Sequence, residues 1–433
     1  MKEIFKKIIV YIITLEAKLV LKKYKPEIVA VTGSVGKTSS KEAIAAVLET
    51  EFSVRKNIKS FNSEIGAPLT VLGCDNAWYN PVLWIFNIIQ GLKLLLFKVE
   101  YPRWLVLELG VERPGDMTRL MSWIKPRVSV ITAFSDTPSH VEYFSGPEGV
   151  IKEKLKILKN LQNEDYAILN GDNVLSSELK EKTNAQIVTY GFSEGTDFTA
   201  SNYHILLKEK EGKTVPEGIT FKIDYKGSSI PVRIFNTFGK HNVYPALAAV
   251  ATGVTAGLNL LNVSESLSKY ESPAGRLKLL EGVKNSFILD DTYNSSPPAA
   301  VAALEVLGDL PAKRKIAVLG DMLELGKYTI EAHRTLGEHT FRVANIVFTV
   351  GPRAKFIAES LRENGFDKEN IFEFSTSNET KRKVREIIEE GDLVLVKGSQ
   401  GMRMERIVEE IMAHPEQKQS LLVRQDKMWK SIK

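Results

Sequence analysis

An apolar run, Ile28–Thr32, leads directly into Gly33-Ser34-Val35-Gly36-Lys37-Thr38-Ser39, and a helical stretch follows. That order of strand, glycine loop and lysine-led helix commits this part of the chain to an α/β layer that bends around a small anion. Glycines let backbone amides approach phosphate oxygens, and the helix N-terminus adds the positive end of its dipole. Lys37 is placed to neutralise the outer phosphates of a nucleoside triphosphate, and the Thr38 hydroxyl to ligate magnesium. The loop is shorter than the general phosphate-binding pattern, because the position five before Gly36 is Val31 and not glycine. A glycine turn with a surface lysine is the plainer reading. The strand before it and the helix after it argue for the phosphate site.

At 433 residues the chain exceeds one ordinary core, so more than one domain is expected. With 43% hydrophobic and 26% charged residues it has the profile of a soluble globular protein. A net charge of +5 is too small for this length to imply nucleic acid, and suits an anionic small-molecule substrate equally well. The single cysteine, Cys74, excludes an internal disulfide framework and fits a reducing cytoplasm. No Cys/His cluster has the spacing of a zinc site. A cytoplasmic monomer without a nucleic-acid partner is the expectation.

Two apolar segments stand out. Lys2, Lys6 and Lys7 precede Ile8–Leu15 in the manner of a signal peptide, but no small-residue cleavage site follows and Glu16 and Lys18 interrupt the run. Phe5, Ile8, Ile12, Leu15 and Leu19 recur at helical spacing, which predicts an amphipathic helix within 1–26. Residues 81–99 are strongly apolar, with Asn87, Gln90 and Lys93 as interruptions. This segment reads either as a helix docked on the N-terminal one or resting on a membrane surface, or as an ordinary buried core helix. Peripheral membrane contact through 1–24 and 81–99 is therefore an open expectation.

From Glu27 onward, short apolar strands alternate with helical stretches, the pattern of parallel α/β architecture. Ile28–Thr32, Trp104–Leu109, Val128–Thr132 and Ala167–Asn170 are expected strands. Asp197–Phe238 reads as an antiparallel β insertion, and about 242–257 as an alanine-rich helix. A second α/β series follows, with Phe287–Asp290, Lys315–Leu319, Ile346–Val350 and Leu393–Val396 as strands. The expected fold class is α/β throughout: a terminal helix (1–26), a central ATP-binding domain with a mostly parallel sheet and β insertion (27–272), and a Rossmann-like domain (273–433).

The shortened loop T-G-x-x-G-K-T-S resembles that of the Mur ligase family, which includes the folylpolyglutamate synthetases. Further stretches strengthen the resemblance: Asn62–Thr70 (NSEIGAPLT), Leu107–Gly110 (LELG), Asp290–Pro297 (DDTYNSSP), Val318–Gly326 (VLGDMLELG) with His333 after it, and Val396–Ser399 (VKGS). They run in unbroken order from about Ile28 to Glu410. Within the family they are most similar to the enzymes that add D-alanyl-D-alanine to a muramoyl-tripeptide.

The resemblance implies an ATP- and Mg2+-dependent ligase that activates a carboxylate as its acyl-phosphate and lets an amine attack. Cations and fixed donors should dominate such a site. Thr32 through Ser39 would hold the triphosphate, with Lys37 and Arg276 against the transferring phosphoryl group. Glu108, at the C-terminal end of a strand, and His140 resemble a second magnesium site beside Thr38. Lys154 falls where the family carries a carbamylated lysine, a metal-holding anion; Lys152 and Lys156 are the register alternatives. Asn242, in Gly239-Lys240-His241-Asn242, would lie beside the adenine, although the asparagine common three residues later is Pro245 here. Pro273-Ala274-Gly275-Arg276 resembles the interdomain hinge, and Asp291 and Asn294 would meet the ribose or phosphates. The muramoyl peptide or the dipeptide would be met by Asn62, Glu64, Tyr293, Asp321, Glu324, His333, Lys397 and Ser399.

The resemblance fails in one place. Only Met1–Pro26 precede the first strand, too few to bury a core, so a domain for the uridine nucleotide is expected to be missing. The acceptor could still be the muramoyl peptide, a lipid-linked version, or another peptide or polyglutamate chain. A reading from a different class is a non-catalytic, nucleotide-binding partner at the membrane. Lys37, Thr38, Glu108, His140 and Lys154 together count against it, since a binding module has no need of two magnesium sites.

Overall fold

The computed structural model describes residues 2–57, 64–77, 80–135, 138, 140–173, 179, 182–210, 213–426 and 429. The strands of the first sheet are β1 (Glu27–Thr32), β2 (Val54–Lys56), β3 (Trp104–Glu108), β4 (Val128–Ile131), β5 (Tyr166–Asn170), β6 (Gln186–Gly191), β7 (Phe198–Lys210), β8 (Lys213–Tyr225) and β9 (Ser228–Phe235). Their spatial order is β2-β3-β1-β4-β5-β6-β7-β8-β9. The six strands from β2 to β6 run parallel, and β1, β3 and β4 are almost wholly buried. That burial explains their unbroken Val, Leu and Ile: helices cover both faces, so no polar alternation is needed. The order reverses at β1, which lies between β3 and β4. Open parallel sheets leave a crevice beyond the strand ends at such a switch point, and here the glycine loop fills it.

The expected β insertion is instead the far edge of this same sheet. β7 joins β6 in parallel through Tyr190–Phe198 and Gly191–Thr199, and β7, β8 and β9 then run antiparallel. The helix Val243–Thr255 returns across the sheet and packs against α2 (Lys37–Leu48), where its alanines allow close approach.

The second sheet comprises β10 (Lys278–Glu281), β11 (Phe287–Asp291), β12 (Arg314–Gly320), β13 (Ile346–Val350), β14 (Ile371–Phe374) and β15 (Asp392–Lys397), in the order β10-β11-β15-β12-β13-β14. All neighbours are parallel except β10 and β11. The ends of β11 and β15 thus lie side by side, which brings the DDTYN and VKGS stretches together.

Helix α1 (Lys2–Tyr24) is part of the first core: Ile9, Ile13, Ala17 and Val20 are buried against the sheet. Beside it lie α3 (Gly66–Leu72) and α4 (Pro81–Leu96). Asn80 starts α4 by accepting hydrogen bonds from the Val82 and Leu83 amides, with Pro81 in the first turn. At its other end the Lys23 ammonium donates to the carbonyls of Leu94, Leu95 and Phe97 at 2.8, 3.0 and 2.6 Å. Only Trp84, Gly91 and Leu94 of α4 are buried, so the reading as an ordinary core helix is corrected: it docks on α1 and leaves most of its surface open. Among the described residues no helix is long and apolar enough to cross a membrane.

Gly91 is where α4 crosses the Glu16 carboxyl. A Cβ there would fall 2.2 Å from Glu16 Oε2. Glu16 is buried, Oε2 has no hydrogen-bond partner, and burial pushes its pKa up from 4.5 to about 7. The folded state therefore binds this proton more tightly than the unfolded chain. The stability it contributes is complete below pH 4.5 and is lost as pH rises through about 7. Glu16→Gln is expected to stabilise the protein by on the order of 1 kcal/mol at about pH 8. Urea unfolding should show that advantage shrinking to nothing near pH 4.5.

Candidate active site

Gly33 lets the chain leave β1 and turn at once beneath the end of β4. Its φ is 151°, and a Cβ would sit 1.9 Å from Thr132 Oγ1, so no other residue fits. Thr132 Oγ1 donates to Val35 O at 2.6 Å, and the Ser34 and Val35 amides donate to Ala133 O at 2.7 and 3.3 Å. These two amides are therefore spent on the neighbouring strand end, not turned toward the crevice as the phosphate-cradle expectation required. Gly36, at φ 81°, begins α2, which has no side-chain cap. The first-turn amides of Lys37, Thr38 and Ser39 are the donors left for an anion.

Lys37 lies half-buried, folded back with Nζ donating to Ser34 O at 3.2 Å. Burial lowers its pKa, Glu108 opposes that shift, and Arg276 reinforces it. Thr38 Oγ1 donates to Glu108 Oε2 at 2.9 Å and accepts from Arg276 Nη2 at 3.0 Å. Glu108 ends β3, with its amide donating to Asn57 Oδ1 at 2.6 Å. Three of the expected residues, from the start of α2, the end of β3 and the hinge, thus form one chain of hydrogen bonds. Arg276 Nε is buried without a partner, and its guanidinium lies 4.0 Å from the Tyr293 ring centroid. An orphaned buried donor beside a phosphate-binding helix end is what an arriving anionic oxygen would satisfy.

Lys154 closes α5 (Pro147–Lys154) and is buried, its Nζ donating to Gly33 O at 2.6 Å. Burial first, and the Lys37 charge second, hold its pKa well below the usual lysine value. Lys156 pairs with Glu153 and Lys152 is exposed, so Lys154 alone of the three register choices meets the loop.

His140 goes elsewhere. In a left-handed conformation at φ 66°, its Nδ1 meets Glu324 Oε2 at 3.0 Å and holds that carboxyl below its usual range. It bridges the segment after β4 to the GDMLELG loop. Among the described residues no three His, Cys, Asp or Glu side chains gather as a metal site. Thr38 Oγ1 and the Glu108 carboxylate remain the oxygen pair suited to a hard cation.

A cavity of about 670 Å3 opens between the sheets, lined by Gly36, Ser39 of α2, Asn242, Arg276, Asp291 and Asn294, among others. That volume suits a nucleotide-sized ligand. Lys397, assigned to the second substrate from sequence, lines this cavity instead, donating to Asp291 Oδ2 at 2.5 Å and to Asn294 O at 3.0 Å. Several other assigned residues serve the backbone. Buried His333 donates from Nδ1 to Thr329 O at 2.7 Å and accepts at Nε2 from Met322 N at 3.0 Å. Asp321 accepts from the Arg353 and Ala354 amides, and Ser399 accepts from Leu323 N. These bonds share a reason: a polar loop packed between strand ends must satisfy its own amides. Exposed Glu64 pairs with Arg119, and Asn62 lies outside the described residues.

The cavity also holds residues that sequence reading did not single out. Asp172, two residues after β5, accepts from the Phe192 and Ser193 amides and from Tyr244 Oη at 2.9 Å. Tyr244 and His241 line the wall beside Pro245, and burial pushes the His241 ring down to about 4. The signal available was position alone, since Asp172 follows a strand's C-terminal end.

Residues 31–253 match the Mur ligase middle domain, and residues 275–400 match the Mur ligase, glutamate ligase domain. The chain belongs to the Mur ligase family, and it is an ATP-dependent, ADP-forming amide ligase whose reaction uses magnesium. It is 32% identical over 406 residues to the UDP-N-acetylmuramoyl-tripeptide–D-alanyl-D-alanine ligase of Bacillus subtilis, covering 92% of this chain and 79% of that one. The Haemophilus influenzae protein of the same name is 29% identical, over 90% and 78%. Among solved structures, MurF ligase from Thermotoga maritima in complex with ADP superposes with a TM-score of 0.75 at 25% identity, covering 95% of this chain and 84% of that one.

Removing one member of the buried Lys397–Asp291 pair would strand the other charge. Lys397→Met is expected to cost about 3–5 kcal/mol in chemical denaturation, and Lys397→Met with Asp291→Asn to recover most of that loss.

Proposed function

We propose that this ligase joins D-alanyl-D-alanine to the terminal carboxylate of a muramoyl-tripeptide, converting ATP to ADP and phosphate. The observation that carries the reading is the hydrogen-bonded chain Arg276–Thr38–Glu108, whose Arg276 lines a cavity walled by both sheets. It supports a site completed only when residues 27–272 and 273–433, taken as the two working domains, come together at the 273–276 hinge. Such closure keeps water from an activated acyl group.

A peptide carboxylate oxygen attacks the γ-phosphorus, the bond to the β-phosphate oxygen breaks, and ADP departs. The dipeptide amine then attacks the acyl carbon, phosphate leaves, and the amine gives up a proton as the C–N bond forms. Lys37 and Arg276 stabilise charge on the transferring oxygens. Thr38 and Glu108 would hold magnesium, which would supply further charge neutralisation. Lys154 supports the reading of a carbamylated lysine and a second magnesium position, because a lysine buried and held well below its usual pKa offers the neutral amine that carbon dioxide requires. Its carbamate would be an anion beside Gly33.

Phosphate release measured with ATP, magnesium, UDP-muramoyl-tripeptide and D-alanyl-D-alanine, with each omitted in turn, tests the substrate. The expected result is release that needs both, with pentapeptide product by mass. Release only with another carboxylate–amine pair would discard the substrate and keep the chemistry. Tight ATP binding with silence toward every pair would favour a non-catalytic partner. Lys37→Ala is expected to lower turnover by about 100- to 1,000-fold. Stripping carbon dioxide from the buffer should slow the native enzyme, and bicarbonate should restore it; an enzyme indifferent to both would remove the carbamate.

A further inference from the structure

We propose that the joint outer face of α1 and α4 docks on an anionic lipid bilayer, lying in its interface without crossing it. This goes beyond the ligase reading and does not depend on it. On α4, Ile85, Phe86, Ile89 and Leu96 are 57%, 61%, 53% and 74% exposed. On α1, Ile8, Leu15 and Leu19 expose a stripe at helical spacing. The two helices pack along one another, so these groups form one broad apolar surface. Surfaces of this extent mark interaction sites.

Charge selects the occupant. Lys7, Lys18 and Lys22 are exposed along one edge of α1, and Lys93 rises through the apolar strip of α4. Among the described side chains of the two helices no exposed carboxylate opposes these lysines: α4 contains no Asp or Glu and Glu16 of α1 is buried, while Glu3, the other acidic residue of α1, stands in sequence among Lys2, Lys6 and Lys7. A second copy of the chain would set these lysines against one another across a two-fold axis. A bilayer with anionic headgroups accepts both features, with apolar side chains at the acyl boundary and lysines reaching back to phosphates. The scaffold holds the face ready, since Lys23 and Tyr24 tie the end of α4 to α1. Such docking would carry the ligase to a membrane surface, where an acceptor or product bearing a lipid would also be found.

The full chain would be sedimented with vesicles of phosphatidylcholine alone, and of phosphatidylcholine and phosphatidylglycerol in about a two-to-one ratio. We expect partitioning onto the anionic vesicles that falls steeply with salt, and little onto the neutral ones. Phe86→Glu with Ile89→Glu should lower it at least about tenfold. Lys18→Glu with Lys22→Glu, which leaves the apolar stripe intact, should lower it by a similar factor, about fivefold per lysine. Unfolding curves of both pairs, compared with the native chain, show that they are folded. Native protein that stays in the supernatant, or a Phe86→Glu/Ile89→Glu protein that binds as well as native, overturns the proposal. So does a native dimer by light scattering that this pair converts to monomer while vesicles bind neither, because the face then belongs to a second copy.

Discussion

The absence of a side chain at Gly33 sets the distance between the phosphate-binding loop and the end of β4, and much else follows from that distance. With Thr132 in van der Waals reach of the loop, its hydroxyl can hold Val35, and Ala133 can take two loop amides. The loop is thereby anchored at its first half and left to present only the turn that begins α2. Lys37 and Thr38 inherit their positions from that anchoring, and Glu108 and Arg276 inherit theirs from Thr38. A larger residue would push the loop off the strand end and displace every member of the chain by the same shift. Transition-state stabilisation depends on donors fixed to within a fraction of an ångström, so the sheet's switch point is as much a catalytic device as the lysine.

Around this anchor the protein buries several charges that would ordinarily seek water. Burial and the Lys37 charge hold Lys154 well below its usual pKa, while burial and Arg276 lower that of Lys37. Lys397 and Asp291 are neutralised as a pair, and Arg276 keeps one nitrogen without a partner. The imbalance is directional: surplus donors and positive charge face the crevice, and the main carboxylate among them, Glu108, is positioned to hold a cation. An anionic nucleotide with its metal would complete the balance, which is why the site can be preorganised and still be incomplete on its own.

How much of this was legible in the sequence depends on whether a residue's role was local. The loop, its strand and its helix were readable because glycine spacing and lysine position act within a dozen residues. The paired apolar helices were visible as patterns, but which faces they share was not: Gly91 over Glu16 is a contact between segments 75 positions apart. β7 to β9 were recognisable as antiparallel, yet their continuity with the parallel sheet rests on two residue pairs at the end of β6. The resemblance placed His333, Asp321 and Ser399 at the substrate, whereas here they hold the loop that Glu324 extends toward His140. Those hydrogen bonds join segments far apart in the chain, such as Asp321 with Ala354 and Ser399 with Leu323, and no motif spacing announces them. Asp172 and Tyr244 lay beyond any such reading, since only folding brings them within 2.9 Å.

The DDTYN turn is fastened from far downstream. The Arg424 guanidinium donates to the carbonyls of Thr292 and Tyr293 and pairs with Glu405 at 2.9 Å. Arg424 lies 132 positions after Thr292. During synthesis, at about 5–20 residues per second, the turn therefore waits roughly ten seconds for its fastener. The phosphate loop and its sheet will by then have left the ribosome. The groups of the second sheet that line the crevice are thus fixed last, after the loop they face.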